Sequence, residues 1–387
     1  MDHLRQIVFG PQRTTNPNQR PPHRILDMAN QTPNLLDPIQ LGDLHLPNRV
    51  IMAPLTRLRG TVDHVPTPII AEYYAQRASA GLILSEGTPV DPFGVGYPQV
   101  PGIWSKEQVE AWKPVTRAVH NAGGRIFAQI WHVGRISDPV YLNGQLPVAP
   151  SAIAASGHPS LIRPERPFVT PRALLLDEIP GIIEGFRRGA ENAQAAGFDG
   201  VEIHGANGYL LDQFLQDGSN HRSDEYGGPI ENRARLHLEV TDACISVFGA
   251  GRVGMHLAPR SGVHGISDSN LPATFGYLAT ELGKRKIAFI AAREHVAHDS
   301  IGPELKQHFG GLFIANEALD QKTGQTLLDE GKADAVAYGK LFISNPDLPI
   351  RFAQGAPLND YNAKTFYSHG PEGYTDYPSL EAESVVA

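Results

Sequence analysis

Eight short, almost continuously apolar runs, each followed by a stretch with helical spacing, constrain this chain more than any other feature. The runs are Arg49 to Ala53, Leu82 to Glu86, Arg125 to Trp131, Gly200 to His204, Val253 to Leu257, Ile287 to Ala291, Leu312 to Ala315 and Ala335 to Tyr338. A strand that is apolar on both faces must be covered on both faces, as in a parallel sheet wrapped by helices. Between the runs, Ser105 and Gln108 form a capping-box pattern that opens a helix reaching Gly123. Ile179, Ile182, Ile183, Phe186, Ala190 and Ala193 share one face of the next helix, which stops before Gly197. Leu236, Val240, Ala243 and Val247 do the same for a helix closed by Gly249. Eight strand-helix pairs predict an α/β fold, a (β/α)8 TIM barrel, with a doubly wound sheet as the alternative. The segment Gly134 to Asp177 is too long and proline-rich for an ordinary connection, so it is expected to be an inserted loop or hairpin after the third strand. Residues 1–35 are rich in Arg, Pro, Asn and Gln and predict an irregular N-terminal arm ahead of a barrel domain over 36–387.

Barrel active sites sit where strands end and the following loops begin. Read that way, the rim carries Pro54, Leu55 and Thr56, then Gly87 and Thr88, Gln129 with Trp131, His204 with Asn207 and Tyr209, His256, Arg293, Asn316 and Lys340. The 41 acidic against 33 basic residues leave a net charge of −8, which argues against a nucleic-acid partner. The single cysteine, Cys244, excludes an internal disulfide, a thiolate zinc site and an iron-sulfur cluster, and fits a reducing, cytoplasmic setting. No run is long enough to cross a membrane as a helix, and no signal-peptide core is present. No His/carboxylate cluster has metal-ligand spacing, so no metal site is expected.

A Gly-x-Gly-x-x-Gly match at Gly249, Gly251 and Gly254 imitates a dinucleotide fingerprint. The fingerprint needs a strand before it and a helix after it, and here the order is reversed. Phosphate-loop, serine-elbow and zincin motifs are absent from the sequence, which removes the usual supports for phosphoryl transfer and hydrolysis. The segment from Gly200 to Asp217 is the densest in chemistry. His204 and Asn207 lie in the turn after the fourth strand, where two N–H donors are able to meet one oxygen. Tyr209 adds a phenol that stays protonated at neutral pH. None of these groups carries electrons, so redox chemistry requires a cofactor.

At these residues the chain resembles the Old Yellow Enzyme family of FMN-dependent ene-reductases. The likeness runs in order through Asn48 to Arg57, Ala128 to Arg135, the His204 segment, Arg222 to Gly228 with Glu231 to Arg233, Leu341 to Asp347 and Gly373 to Pro378. Val253 to Pro259 and Ala315 to Glu317 make the bacterial enoate and cyclohexenone reductases its nearest counterparts. The resemblance implies noncovalent FMN, NADPH or NADH as reductant, and a small-molecule activated alkene as substrate. It implies that Thr56 bonds the flavin carbonyl beside N5 and that Gln129 bonds the pyrimidine edge. Ala53, Pro54, Leu55 and Gly87 would line the ring, and His256, Asn316, Gly339 and Lys340 complete the implied flavin set. His204 and Asn207 would bind the activating oxygen, Tyr209 would protonate the α-carbon, and Tyr97, Trp131 and Tyr374 would form pocket walls.

Three places depart from the family pattern, one being Asn316-Glu317 after the seventh strand, where the family commonly has Gly-Gly or Gly-Asn. His256 stands where the family commonly has Arg near flavin N1, and Lys340 where it has Arg near the phosphate. Lys340 keeps the charge without the fork, whereas the N1 charge has to come from Arg293 or Arg260. The alternatives are a related flavin barrel acting on another substrate, such as a demethylating dehydrogenase or a nitroester reductase, and a flavin-binding protein without turnover.

Overall fold

Eight parallel strands close into a barrel in the computed structural model, which describes residues 32–381. They are β1 Val50–Met52, β2 Ile83–Leu84, β3 Ile126–Trp131, β4 Gly200–His204, β5 Val253–Leu257, β6 Phe289–Arg293, β7 Phe313–Asn316 and β8 Ala335–Tyr338. Each pairs with its neighbours in chain order, and β8 returns to β1 with Ala337 opposite Ile51. The doubly wound alternative is thereby excluded, because an open sheet leaves its first and last strands unpaired. Side chains such as Leu84, Phe127, Phe289, Ile314 and Ala337 fill the barrel interior, and the opposite faces of the strands pack on the helices.

The helices in the βα units are α1 Pro68–Ala75, α2 Lys106–Asn121, α3 Ile179–Ala195, α4 Ile230–Phe248, α5 Leu271–Arg285, α6 Gly302–Phe309, α7 Gln321–Asp329 and α8 Leu348–Gln354. The capping box on α2 is complete: Gln108 N–H donates to Ser105 Oγ, and Ser105 N–H donates to Gln108 Oε1. Gly249, at φ 78°, closes α4, and β5 follows at Val253, so the glycine triplet is a turn into a strand.

Three features differ from the sequence expectation. The strand expected at Ile287 to Ala291 lies two residues later, which puts Arg293 at its end. Ile287 and Ala288 are as buried as the strand itself, so the apolar run marks no boundary, and pairing with β5 and β7 sets it. The insertion after β3 does contain paired strands, Val148–Ala149 and Arg172–Ala173, but they run parallel. The excursion over 150–171 lets the chain travel back and re-enter in the same direction, which a hairpin turn cannot do. Finally, an antiparallel hairpin, Ile39–Leu41 with Leu44–Leu46, adds Leu41, Leu44 and Leu46 to the interior cluster of the barrel. Its turn needs Gly42 at φ 51°, where a Cβ would lie 2.1 Å from Gly251 O.

The compact unit takes up at Pro33, and Leu35 is already buried, with its N–H donating to Gln325. Residues 1–31 of the expected arm lie outside the described residues. Among those described, no helix is long and apolar enough to cross a membrane.

Candidate active site

The loop leaving β1 is fixed before it reaches the rim. Ala53 N–H donates to Tyr338 O on β8, and Arg57 N–H donates to the carboxylate of Glu86, just beyond β2. Burial pushes the Glu86 carboxyl up to about 7. Arg57 and Arg59, both buried, then reach across to residues 365–373: Arg57 donates to Phe366 O and Gly373 O, and Arg59 to Thr365 O, Phe366 O, Gly370 O and Glu372 O. Pro54, Leu55 and Thr56 are left half-buried on the rim, and the Thr56 hydroxyl takes no partner among the described residues.

Gly87 and Trp131 come together after β2 and at the end of β3. A Cβ on residue 87 would lie 2.7 Å from the indole, so only glycine lets the two meet. Tyr97 stacks on the same indole, with ring centroids 5.8 Å apart and planes 14° apart.

Gln129, Glu202 and His256 form a buried chain across β3, β4 and β5. Gln129 Nε2 donates to Glu202 Oε2 at 2.8 Å, and His256 Nδ1 lies 3.3 Å from Glu202 Oε1. A carboxylate only accepts, so the amide nitrogen of Gln129 is committed to Glu202 and its carbonyl oxygen faces away. That oxygen has no protein donor among the described residues. Glu202 escaped the sequence reading, although a fully buried acid in an apolar strand demands partners and was the available signal.

The turn after β4 holds His204, Asn207 and Tyr209. Ala206 N–H donates to His204 Nδ1 at 3.3 Å, and burial, with His256 nearby, holds the ring's pKa well below its usual range. The neutral ring therefore carries its proton on Nε2, making that nitrogen a donor. Tyr209 is edge-on to His204 and to Trp131, with centroids 4.9 and 4.8 Å away, and its oxygen is 2.8 Å from the Tyr97 hydroxyl. Burial raises the Tyr209 phenol well above its ordinary pKa and lifts Tyr97 to about 12. The turn is braced by Asp212, which accepts Gly208 N–H at 2.8 Å and the Gln216 amide at 2.7 Å. Burial pushes the Asp212 carboxyl up to about 7.

Of the two arginines expected as charge donors, Arg260 is paired with Glu294 and Asp299. Arg293 is on the rim and bonds Asn207 and Glu317. At the ends of β7 and β8, Asn316 Nδ2 donates to Ala337 O at 2.7 Å. Gly339 is half-buried, and an added Cβ would sit in ordinary contact with Leu55, 3.5 Å away. Lys340 is exposed, with its ammonium 5.6 Å from the Tyr361 ring and no carboxylate partner among the described residues.

Tyr374 is the one expected residue that the structure takes away from the rim. It is fully buried, stacked on Tyr73 at 4.0 Å, and has Arg57 and Arg59 over its ring. Its ring is taken up by Tyr73 and the two guanidiniums, which leaves no face of it for a pocket. Tyr367, seven residues earlier, is half-exposed and close enough to act on the phenols of Tyr97 and Tyr209. It went unread because only its distance from those phenols distinguishes it from other exposed tyrosines.

The residues present fit the FMN that the resemblance implies. Two groups with no partner among the described residues, the Thr56 hydroxyl and the Gln129 carbonyl, lie beyond β1 and on β3, and the exposed Lys340 ammonium, with no carboxylate to pair, lies just beyond β8.

Comparison with known proteins agrees. The profile of the NADH:flavin oxidoreductase / NADH oxidase family matches residues 34–359. The chain is 46% identical over 364 residues to 12-oxophytodienoate reductase 1 of Oryza sativa subsp. japonica, covering 90% of this chain and 93% of that protein. It is 44% identical over 375 residues to 12-oxophytodienoate reductase 2 of Arabidopsis thaliana, covering 92% and 98%. Among solved structures, the old yellow enzyme homologue from Zymomonas mobilis superposes with a TM-score of 0.88 at 47% identity, covering 90% of this chain and all of that one. Morphinone reductase in complex with tetrahydroNAD gives 0.87 at 49%, covering 90% and 98%.

Proposed function

The chain belongs to the NADH:flavin oxidoreductase / NADH oxidase family, an FMN-dependent oxidoreductase of Old Yellow Enzyme type acting on alkenes, and from that premise we propose that it reduces enones, enals and nitroalkenes. NADH or NADPH is the reductant. The hydride chemistry, from nicotinamide to the substrate β-carbon by way of N5, is what the flavin supplies when bound. Thr56, Gln129, His256, Asn316, Gly339 and Lys340 hold the cofactor, with Ala53, Pro54, Leu55 and Gly87 against its ring.

The observation that carries this reading is the His204–Asn207–Tyr209 turn. His204, neutral and with its proton on Nε2, and Asn207, through its amide, donate to the activating oxygen and stabilise the negative charge that grows there. Tyr209 donates its proton to the α-carbon. The Tyr97 hydroxyl, 2.8 Å behind, hydrogen-bonds the phenolate oxygen that is left. Tyr97, Trp131 and Tyr367 wall the pocket.

The test is the visible spectrum of the purified protein. Heating should release a fluorescent flavin into the supernatant. Under anaerobic conditions NADH or NADPH should bleach the flavin, and 2-cyclohexenone should restore its colour. Colourless protein that takes up no FMN, or bleached protein that enones and nitroalkenes leave bleached, ends the reading.

A further inference from the structure

Asn207 is held at three points. Its backbone is left-handed, at φ 57°, its carbonyl lies 3.1 Å from His264 Nδ1, and its side-chain Oδ1 accepts from Arg293 Nη1 at 2.9 Å. An arginine side chain only donates. Turning the Asn207 amide over would set NH2 against guanidinium, donor against donor. The arginine thus selects one of the two amide orientations, the one that leaves the two N–H bonds free to point elsewhere. Its own aim is fixed in turn, because Nε donates to Glu317 Oε2 at the end of the neighbouring strand β7.

The backbone bears this out. Glu317 is at φ 114° and Ala318 at φ 52°, two successive residues other than glycine in the region that glycine favours. Such strain persists where the surrounding structure holds the residue in place, and it clusters at working sites. Here a glycine would relieve the backbone and remove the carboxylate that aims Arg293.

We propose that Arg293, held by Glu317, is a positioning residue for alkene reduction: it locks the amide of Asn207 with its N–H bonds toward the substrate's carbonyl or nitro oxygen. The inference rests on the reading of Asn207 as a donor to that oxygen. The guanidinium also polarises the amide it bonds, which strengthens the N–H donors on the other side.

The experiment titrates FMN-loaded full-length protein with p-chlorophenol, whose oxygen serves as a probe for the activating oxygen, and follows the flavin absorbance. Arg293→Met should weaken phenol binding about 10- to 100-fold, the weight of a hydrogen bond to a charged group. In the Asn207→Ala background the same change should cost less than about twofold, since no amide is left to orient. Arg293→Lys should recover part of the loss, because an ammonium reaches Oδ1 but cannot also hold Glu317. Glu317→Gln keeps the shape and removes the charge, so it should weaken binding several-fold in native protein and not in Asn207→Ala. Equal losses from Arg293→Met in both backgrounds would mean that the arginine acts by charge or by folding alone, and would overturn the proposal. So would normal binding in Arg293→Met if Asn207→Ala is impaired. Normal binding in Asn207→Ala itself would overturn the reading of Asn207, and the proposal with it.

Discussion

Tyr209→Phe isolates one proton in the mechanism. The phenylalanine keeps the ring that packs edge-on to His204 and Trp131, and removes only the hydroxyl. That hydroxyl belongs to a side chain 7% exposed and lies 2.8 Å from the Tyr97 oxygen, so its loss leaves a half-buried partner unpaired. The stability cost is about 1–3 kcal/mol, a few degrees in Tm for a chain of this size. The catalytic cost is larger: a positioned general acid contributes about 10²–10⁴ in rate. Burial holds the Tyr209 phenol well above its ordinary pKa, so the native enzyme keeps the acid form throughout the neutral range and its alkene step should not fall with pH there. Stopped-flow absorbance separates the half-reactions. NADH or NADPH should bleach the variant's flavin at nearly the native rate, whereas 2-cyclohexenone should restore the colour at least about 10²-fold more slowly. Nitroalkenes give a sharper contrast, because their nitronate is stable enough to leave without enzymatic protonation. Equal losses in both half-reactions, or none in either, would refute the reasoning.

His204→Ala should slow the alkene half-reaction by about 10²–10³ and weaken phenol binding while flavin content stays normal; unchanged binding of p-chlorophenol would count against its role as a donor. Asp212→Asn tests the brace of the turn through pH. With the folded carboxyl raised to about 7 and the ordinary value at 3.8, the folded chain holds a proton between those limits that the unfolded chain has lost. Native stability therefore falls as pH rises through that window and levels off above it. Asparagine still accepts from Gly208 but cannot ionise, so the variant's Tm relative to native should rise between pH 5 and pH 8, by an amount worth about 2–4 kcal/mol. A Tm difference that is the same at both pH values would dispose of this account.

How much of this was legible depends on the range of the contacts. The limits of β4 and β5 were readable because turn residues bracket their apolar runs, and His204, Asn207 and Tyr209 because they share one turn. Strands of three residues, such as Ile39–Leu41, carry no periodicity, and the hairpin they form went unread. β6 was misplaced because burial on both sides of its first residue erased the boundary. Glu202, Asp212 and Arg59 look like unremarkable polar residues until the fold supplies partners, and those of Arg59 lie some 300 residues away. Tyr374 and Tyr367 are seven positions apart in one segment, and only the fold shows that the first is packed on Tyr73 and the second half-exposed.

Arg57 and Arg59 also impose a timetable. They sit on the loop that carries Thr56, and the carbonyls that receive them, over 365–373, are made about 300 residues later. At roughly 5–20 residues per second of synthesis, the loop waits on the order of tens of seconds for its anchor. Until then, two guanidiniums destined for burial have, besides water, only the Tyr73 hydroxyl for Arg57 and the Arg57 carbonyl for Arg59. The rim at Thr56 therefore cannot set fully before that late segment exists, and a flavin meeting the growing chain earlier would find a barrel mouth with one side still loose.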